Sequence, residues 1–241
     1  MMEQAKSMSP SWKARIAGLC YLLSGLAFSF AEFSVCGKLI IAGDAAATAR
    51  NIVAHQTLFR LGFAAELIET VLFIAVTWFF LSLFKPVNKS LAWLAAFFSL
   101  TGCTVYVLGS LLHLAPLILL GGAPYLSVFK QDQLQAMALA ILALRAQADN
   151  IYMVFFGCYN FLFGCLIVRS TFLPRILGVF LAFAGLAYQT FLWPPLAASL
   201  FSVFVGPAGA LGELSLVFWL LVFGVNTQKW QQQADAAGSG G

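Results

Sequence analysis

Charge is scarce in this chain: Asp, Glu, Lys and Arg make up 9% of its 241 residues, against roughly a quarter in soluble domains. So little charge cannot clothe a water-exposed surface of this size. The basic residues lie singly, without a basic run or an alternation of basic and aromatic residues, so the net charge of +4 gives no footprint for nucleic acid. Histidine is limited to His55 and His113. There is no HExxH, no GxSxG, no phosphate-cradling glycine loop and no histidine pair placed to ligate haem, which leaves any catalytic residue unknown. The five cysteines, Cys20, Cys36, Cys103, Cys158 and Cys165, include no CxxC. An odd count without paired spacing argues against a disulfide framework or a zinc knuckle, and their apolar surroundings read as small buried hydrophobes.

What is abundant is apolar: 61% of the residues. That excess must face lipid. A spanning helix needs about 20 mostly apolar residues, and six such runs occur, near 15–36, 59–84, 90–118, 148–168, 175–194 and 207–226. The expected fold is all-α, a polytopic bundle of six transmembrane helices arranged as three hairpins. A short segment 1–14 precedes the domain 15–226, and a tail 227–241 with a flexible Gly-Ser-Gly-Gly end follows it. The first apolar run is long enough to span, so it reads as a retained helix rather than a cleaved signal.

The basic residues set the expected orientation. Lys6, Lys13, Arg15, Lys85, Lys89, Arg169, Arg175 and Lys229 collect on one side; Lys38, Arg50, Lys130 and Arg145 collect on the other, with Arg60 at the start of the second span. The richer side should be cytoplasmic and carry both chain ends. On the outer side, Asp44 before Ala45-Ala46-Ala47 reads as a helix N-cap. Leu134, Met137, Ala138, Ile141 and Leu142 recur at helical spacing, with Arg145 off that face. Short amphipathic helices on the outer surface are expected there.

Two regularities concern packing. Arg15-Ile16-Ala17-Gly18 through Gly25-Leu26-Ala27 matches Arg175-Ile176-Leu177-Gly178 through Gly185-Leu186-Ala187 at identical spacing, which suggests an internal repeat of parallel hairpins. Glycines also recur seven apart, as Gly18/Gly25, Gly102/Gly109, Gly157/Gly164 and Gly178/Gly185. Small residues on one helix face let backbones approach closely in lipid.

Five acids interrupt the apolar runs or lie at their edges: Glu32, Glu66, Glu69, Asp149 and Glu213. Each costs at least ~2.5 kcal/mol on insertion scales, so it must face the bundle interior, a partner or water. All five fall in the outer halves of their spans. Glu66 and Glu69 share a helix face; Asn150 and Asn160 add polar groups, and Arg60 should pair with an acid of another helix. The leading reading is a polar, outer-facing cavity, lined by Arg60, Glu32, Glu66, Glu69, Asp149, Asn150 and Glu213, that binds or passes a small solute, ion or lipid. The second is a metal-dependent membrane hydrolase, in which His55, His113, Glu66 and Glu69 hold a divalent ion. The third is a structural or regulatory subunit whose charges only pair. No resident cofactor is expected under the first or third. The bilayer is the expected partner, and the sequence leaves the oligomeric state open.

The strings Arg15-Ile16-Ala17-Gly18, Gly37-Lys38-Leu39-Ile40, Gly43-Asp44-Ala45-Ala46-Ala47-Thr48-Ala49, Leu58-Phe59-Arg60-Leu61-Gly62-Phe63, Lys85-Pro86-Val87-Asn88, Phe172-Leu173-Pro174-Arg175-Ile176-Leu177-Gly178 and Gly212-Glu213 resemble a bacterial integral-membrane family, domain-of-unknown-function family 4386. The resemblance runs from about Arg15 to Val225. It implies several membrane helices and a bacterial inner membrane, and it transfers no catalytic residue. It places Asp44, Arg60 and Glu213 within the family pattern; Glu69 and His113 lie outside the strings that carry it.

Overall fold

The structure, a computed structural model, describes residues 8–239. Lys6 and the terminal Gly240-Gly241 lie outside the described residues. Every regular element among the described residues is helical. Among them, six helices are long and apolar enough to cross a membrane: α1 (Pro10–Leu39), α3 (Gln56–Phe84), α4 (Lys89–Leu119), α5 (Gln131–Arg169), α6 (Arg175–Leu192) and α7 (Pro194–Val222). Between α1 and α3 lies the short α2 (Ala45–Ala54), and α8 (Thr227–Ser239) follows α7. The chain is therefore a multi-pass membrane protein. Large apolar side chains such as Val71, Trp78, Leu111 and Phe218 are exposed on these helices, where lipid rather than water suits them.

Two segments expected to connect spans are instead continuous with the spans that follow them. The amphipathic stretch beginning at Leu134 is not a separate surface helix. It is continuous with the fourth span in α5, whose 39 residues extend about 58 Å, well beyond the roughly 30 Å hydrocarbon core. The reason is local: from Gln131 to Phe156 there is no glycine or proline, and Ala, Leu and Gln propagate helix well. The segment 195–206 likewise joins α7, through a π-helical stretch at Phe201–Val205. A second π-helical stretch, Phe30–Cys36, lies in α1. Where the tail was expected, α8 forms. It starts with the Lys229 amide donating to Asn226 Oδ1 at 3.0 Å and is held by Trp230 Nε1 donating to the Leu83 carbonyl at 2.8 Å.

The chain divides into two compact units. The first comprises Met1–Leu22, Phe73–Gly102 and Met153–Gly241; the second comprises Leu23–Leu72 and Cys103–Tyr152.

In the first unit, α5 and α6 pack backbone against backbone at two glycine pairs. A Cβ on Gly164 would lie 2.7 Å from the Gly178 carbonyl oxygen, and one on Gly157 would lie 2.8 Å from that of Gly185. The seven-residue spacings on the two helices thus meet each other in antiparallel register. Gly18 abuts Leu220, whose Cβ would lie 3.0 Å from a Cβ placed on Gly18. Gly25 departs from the expected packing role: nothing lies within 4 Å of its Cβ position, and it is exposed. Its counterpart in the sequence match, Gly185, is buried, so the two matched positions do different jobs. Gly102 is buried. Aromatic rings fill the rest of this unit, with Phe73 edge-on to Tyr159 at 5.1 Å and Phe80 to Phe163 at 5.3 Å.

The second unit is built on Val35, Leu39, Ile52, Phe59 and Leu142. Gly43, at φ 78°, makes the left-handed turn that reverses the chain into α2. Asp44 Oδ1 then accepts from the Ala47 amide at 2.8 Å, satisfying one of the helix's open amides. Here Gly109 allows a close approach, its Cβ position lying 3.0 Å from Ala148 Cβ.

Candidate functional site

The second unit encloses a centre of charge. It begins with helix periodicity: Phe59, Gly62, Glu66, Glu69 and Phe73 alternate three and four residues apart on one buried face of α3. On α5, Arg145, Asp149 and Tyr152 are spaced i, i+4 and i+7, again one face. Arg145 is the hub. Its Nη2 donates to Glu66 Oε1 at 2.7 Å and also to Glu32 Oε1, and its Nη1 pairs with Asp149 Oδ2 at 3.1 Å. The planar fork of a guanidinium presents donors on separate nitrogens in a fixed geometry and can serve several carboxylates at once. Glu32 is carried by the π-helical stretch of α1, a geometry that often marks functional positions.

Glu66 is fully buried and carries a second partner, His113, also fully buried. Nδ1 of His113 lies 2.7 Å from Glu66 Oε1, and Nε2 lies 2.9 Å from the Phe59 carbonyl oxygen. A carbonyl oxygen only accepts, so Nε2 carries a hydrogen. The contact on the other nitrogen then requires one further proton, held between Nδ1 and the carboxylate. Gly62 makes room for the imidazole, since a Cβ there would lie 3.3 Å from His113 Cε1. The Phe59 ring covers it at 4.2 Å between centroids. Glu66 Oε2 and Arg145 Nε have no hydrogen-bond partner. The neighbouring Ser110 hydroxyl donates to the Tyr106 carbonyl at 3.1 Å. Cys36, buried at the end of the π-helical stretch, completes the group: its thiol, Glu66 and His113 each offer a ligand atom, all within 4.8 Å of one another.

Glu69 sits apart from these ion pairs. It accepts from Tyr152 at 3.2 Å and from the Thr70 hydroxyl at 3.2 Å. Glu213 belongs to the first unit, where Tyr188 donates to it at 2.6 Å and Asn160 at 3.4 Å; Tyr21 donates in turn to Asn160 Oδ1 at 3.5 Å. Asn150 turns to Gln147 on its own helix, at 3.3 Å.

Besides Glu213 and Asn150, Arg60 and His55 also lie outside the centre. Arg60 is exposed and lies outside the ion-pair network. Six residues at about 100° each carry it some 120° around the helix from Glu66. His55 is exposed and ends α2, with Nδ1 3.1 Å from the Asn51 carbonyl oxygen; it does not join His113. Conversely, sequence reasoning assigns Arg145 to an exposed face and Cys36 to inert packing, and the structure brings both into the centre. The i, i+4, i+7 run through Arg145, Asp149 and Tyr152 is the signal that could place Arg145 inward. No comparable signal exists for Cys36.

Residues 16–224 match the family described as Domain of unknown function (DUF4386). No curated protein and no solved structure matches the chain.

Proposed function

We propose, for a chain that belongs to the DUF4386 family and crosses the membrane several times, that it binds a small cation at the Glu66 centre. The observation that carries this reading is an imbalance. Glu32, Glu66 and Asp149 converge on the single guanidinium of Arg145, while Glu66 keeps one buried oxygen without a partner. Leaving a buried carboxylate oxygen without a hydrogen-bond partner costs about 1–3 kcal/mol, and the penalty persists in a membrane interior. A bound cation would offset it. Glu69, with Tyr152 and Thr70, forms the flank of the site. Glu213 and Arg60 are not needed. The bias of basic residues supports an outward-facing site with both termini in the cytoplasm, and the family resemblance implies a bacterial inner membrane.

A second reading rests on the same ion pairs: the charges lock the helices of the unit together and bind nothing. Thermal melting of the purified protein in mild detergent, against sodium, potassium, magnesium, calcium and zinc salts at matched ionic strength, separates the two. A ligand at 100 times its Kd stabilises by about 2.7 kcal/mol. The cation reading expects a shift from one class of ion that vanishes in Glu66→Gln while that variant still folds. Melting that responds to none of the ions, in a protein that Glu66→Gln merely destabilises, leaves the lock standing and ends the cation reading.

A further inference from the structure

We infer that the cation is a divalent transition ion of the zinc class, held by Cys36, Glu66 and His113. The inference rests on the cation-binding reading and names its ligand. The donor set is the first reason. A thiol, an imidazole and a carboxylate with ligand atoms inside 4.8 Å make a mixed S, N, O set. That set suits zinc and its neighbours and does not suit magnesium or calcium, which take oxygen alone. All three side chains are buried, so water does not compete for the donors from every side.

The surroundings are the second reason. A ligating histidine almost always donates its other ring hydrogen to a carbonyl or carboxylate, which fixes the tautomer. His113 does this through Nε2 and the Phe59 carbonyl at 2.9 Å, leaving Nδ1 toward Glu66. A ligating carboxylate is usually hydrogen-bonded as well. Glu66 has Arg145 on Oε1 at 2.7 Å, while Oε2 has no partner and keeps its lone pairs for an ion. The orphaned oxygen is thus explained by what it would hold.

The adjustment required is small. Ligands at about 2.0–2.3 Å from one tetrahedral ion lie roughly 3.3–3.7 Å apart. The His113 contact to Glu66 Oε1 at 2.7 Å must open as its shared proton leaves, and ligand atoms now within 4.8 Å of one another must close by at most about one ångström.

Charge also balances. Binding removes the Cys36 thiol proton and the proton held between Glu66 and His113, and both leave to solvent. One divalent ion enters as two protons depart, so the buried charge of the unit is unchanged.

The test uses cobalt(II) as the probe, added to the full-length, metal-stripped protein in detergent and followed by absorption. One equivalent of Co²⁺ should produce a thiolate-to-cobalt charge-transfer band together with the visible bands of a tetrahedral ion, and Zn²⁺ should bleach both. Cys36→Ser should abolish the charge-transfer band. His113→Gln, which retains a donor for the Phe59 carbonyl, should weaken binding by more than about 100-fold, the upper end of losses seen for outer-shell partners. His55→Ala and Cys165→Ser should bind as the parent does and serve as controls for fold and stray thiols. A band that survives Cys36→Ser, or tight binding that survives His113→Gln, overturns the assignment. So does a parent protein that takes no cobalt; if its melting still responds to another cation through Glu66, only the zinc-class assignment falls, and if it responds to none, the cation reading falls with it.

Discussion

Arg145→Met is the sharpest perturbation of the centre. Methionine approximates the length and apolar stem of arginine and can occupy the buried position without a charge. What disappears is the partner of Glu32, Glu66 and Asp149 together: the Nη2 bonds to Glu66 and Glu32 and the Nη1 pair with Asp149. Removing one member of a buried pair costs about 3–5 kcal/mol, because the remaining charge stays buried. Here Glu66 is wholly buried, and Glu32 and Asp149 each keep 21% of their side-chain surface exposed. Those two can recover part of their hydration, so the loss should fall within that range rather than triple it. In equilibrium terms this is a factor between about 10² and 10⁴ in the folded-to-unfolded ratio, at 1.4 kcal/mol per tenfold. Reversible denaturation in mixed micelles, read by tryptophan fluorescence, measures it. The double variant Arg145→Met with Glu66→Gln should recover a substantial part of the loss, since the neutral amide that replaces the Glu66 carboxylate presents no charge to bury. Arg145→Lys should fall between parent and Met, because one ammonium cannot reproduce the two-nitrogen fork. A cost below about 1 kcal/mol for Arg145→Met, the ordinary worth of an exposed pair, would refute the claim that this guanidinium is the electrostatic hub.

Other outcomes follow from the same structure. Gly164→Leu should destabilise by at least the 1–3 kcal/mol typical of overpacking, because its Cβ would press on Gly178 and Ala182 backbone, whereas Gly25→Ala, at an open position, should be neutral within about 0.5 kcal/mol; paired melting curves decide. Tyr188→Phe removes the 2.6 Å donor to Glu213 and should cost about 1–3 kcal/mol, with a loss below about 0.5 kcal/mol by denaturant titration contradicting it. Asp44→Ala deletes the bond to the Ala47 amide and should cost about 1 kcal/mol. Hydrogen exchange should then accelerate selectively in the first turn of α2, and protection equal to the parent's would show that the cap does not hold that turn.

Much of the fold is legible in the sequence because its causes are local. Each span announces itself by a run of apolar residues, and the start of α2 by an aspartate before three alanines. The boundary of α5 is misread for a related reason. The fall in apolarity near Gln133, Gln135 and Gln147 suggests a connection, although helix continuity depends on breakers, and none occurs before Gly157. The glycine register shows the opposite limit. Seven-residue spacing is visible on α5 and on α6, but which glycine faces which depends on the antiparallel pairing of two helices, and that is not written in either one. Gly25 carries the same local signature as Gly185 and lies against nothing, so spacing alone does not distinguish a packed glycine from an exposed one.

The centre extends that limit from packing to chemistry. Glu66 and Glu69 are one helical turn apart, and sequence reasoning gives them one role; the structure separates them. Glu66 faces Arg145 and His113, which lie 79 and 47 residues away in the chain, whereas Glu69 faces the Tyr152 hydroxyl and its own neighbour Thr70. Two carboxylates on one helix face thus differ by what other helices bring, one meeting a cation and an imidazole, the other neutral hydroxyls. This makes Glu66→Gln and Glu69→Gln a matched comparison. Glutamine at 69 keeps a carbonyl to accept from Tyr152 and disturbs no ion pair, so it should cost about 1 kcal/mol. Glutamine at 66 places an amide against Arg145 and His113 and leaves the guanidinium to Glu32 and Asp149. Its cost should approach that of a broken buried pair, about 3–5 kcal/mol. Chemical denaturation of the two variants side by side reads the difference directly. Equal losses would mean that position on α3, rather than the partners supplied by α4 and α5, governs how the membrane interior tolerates these acids.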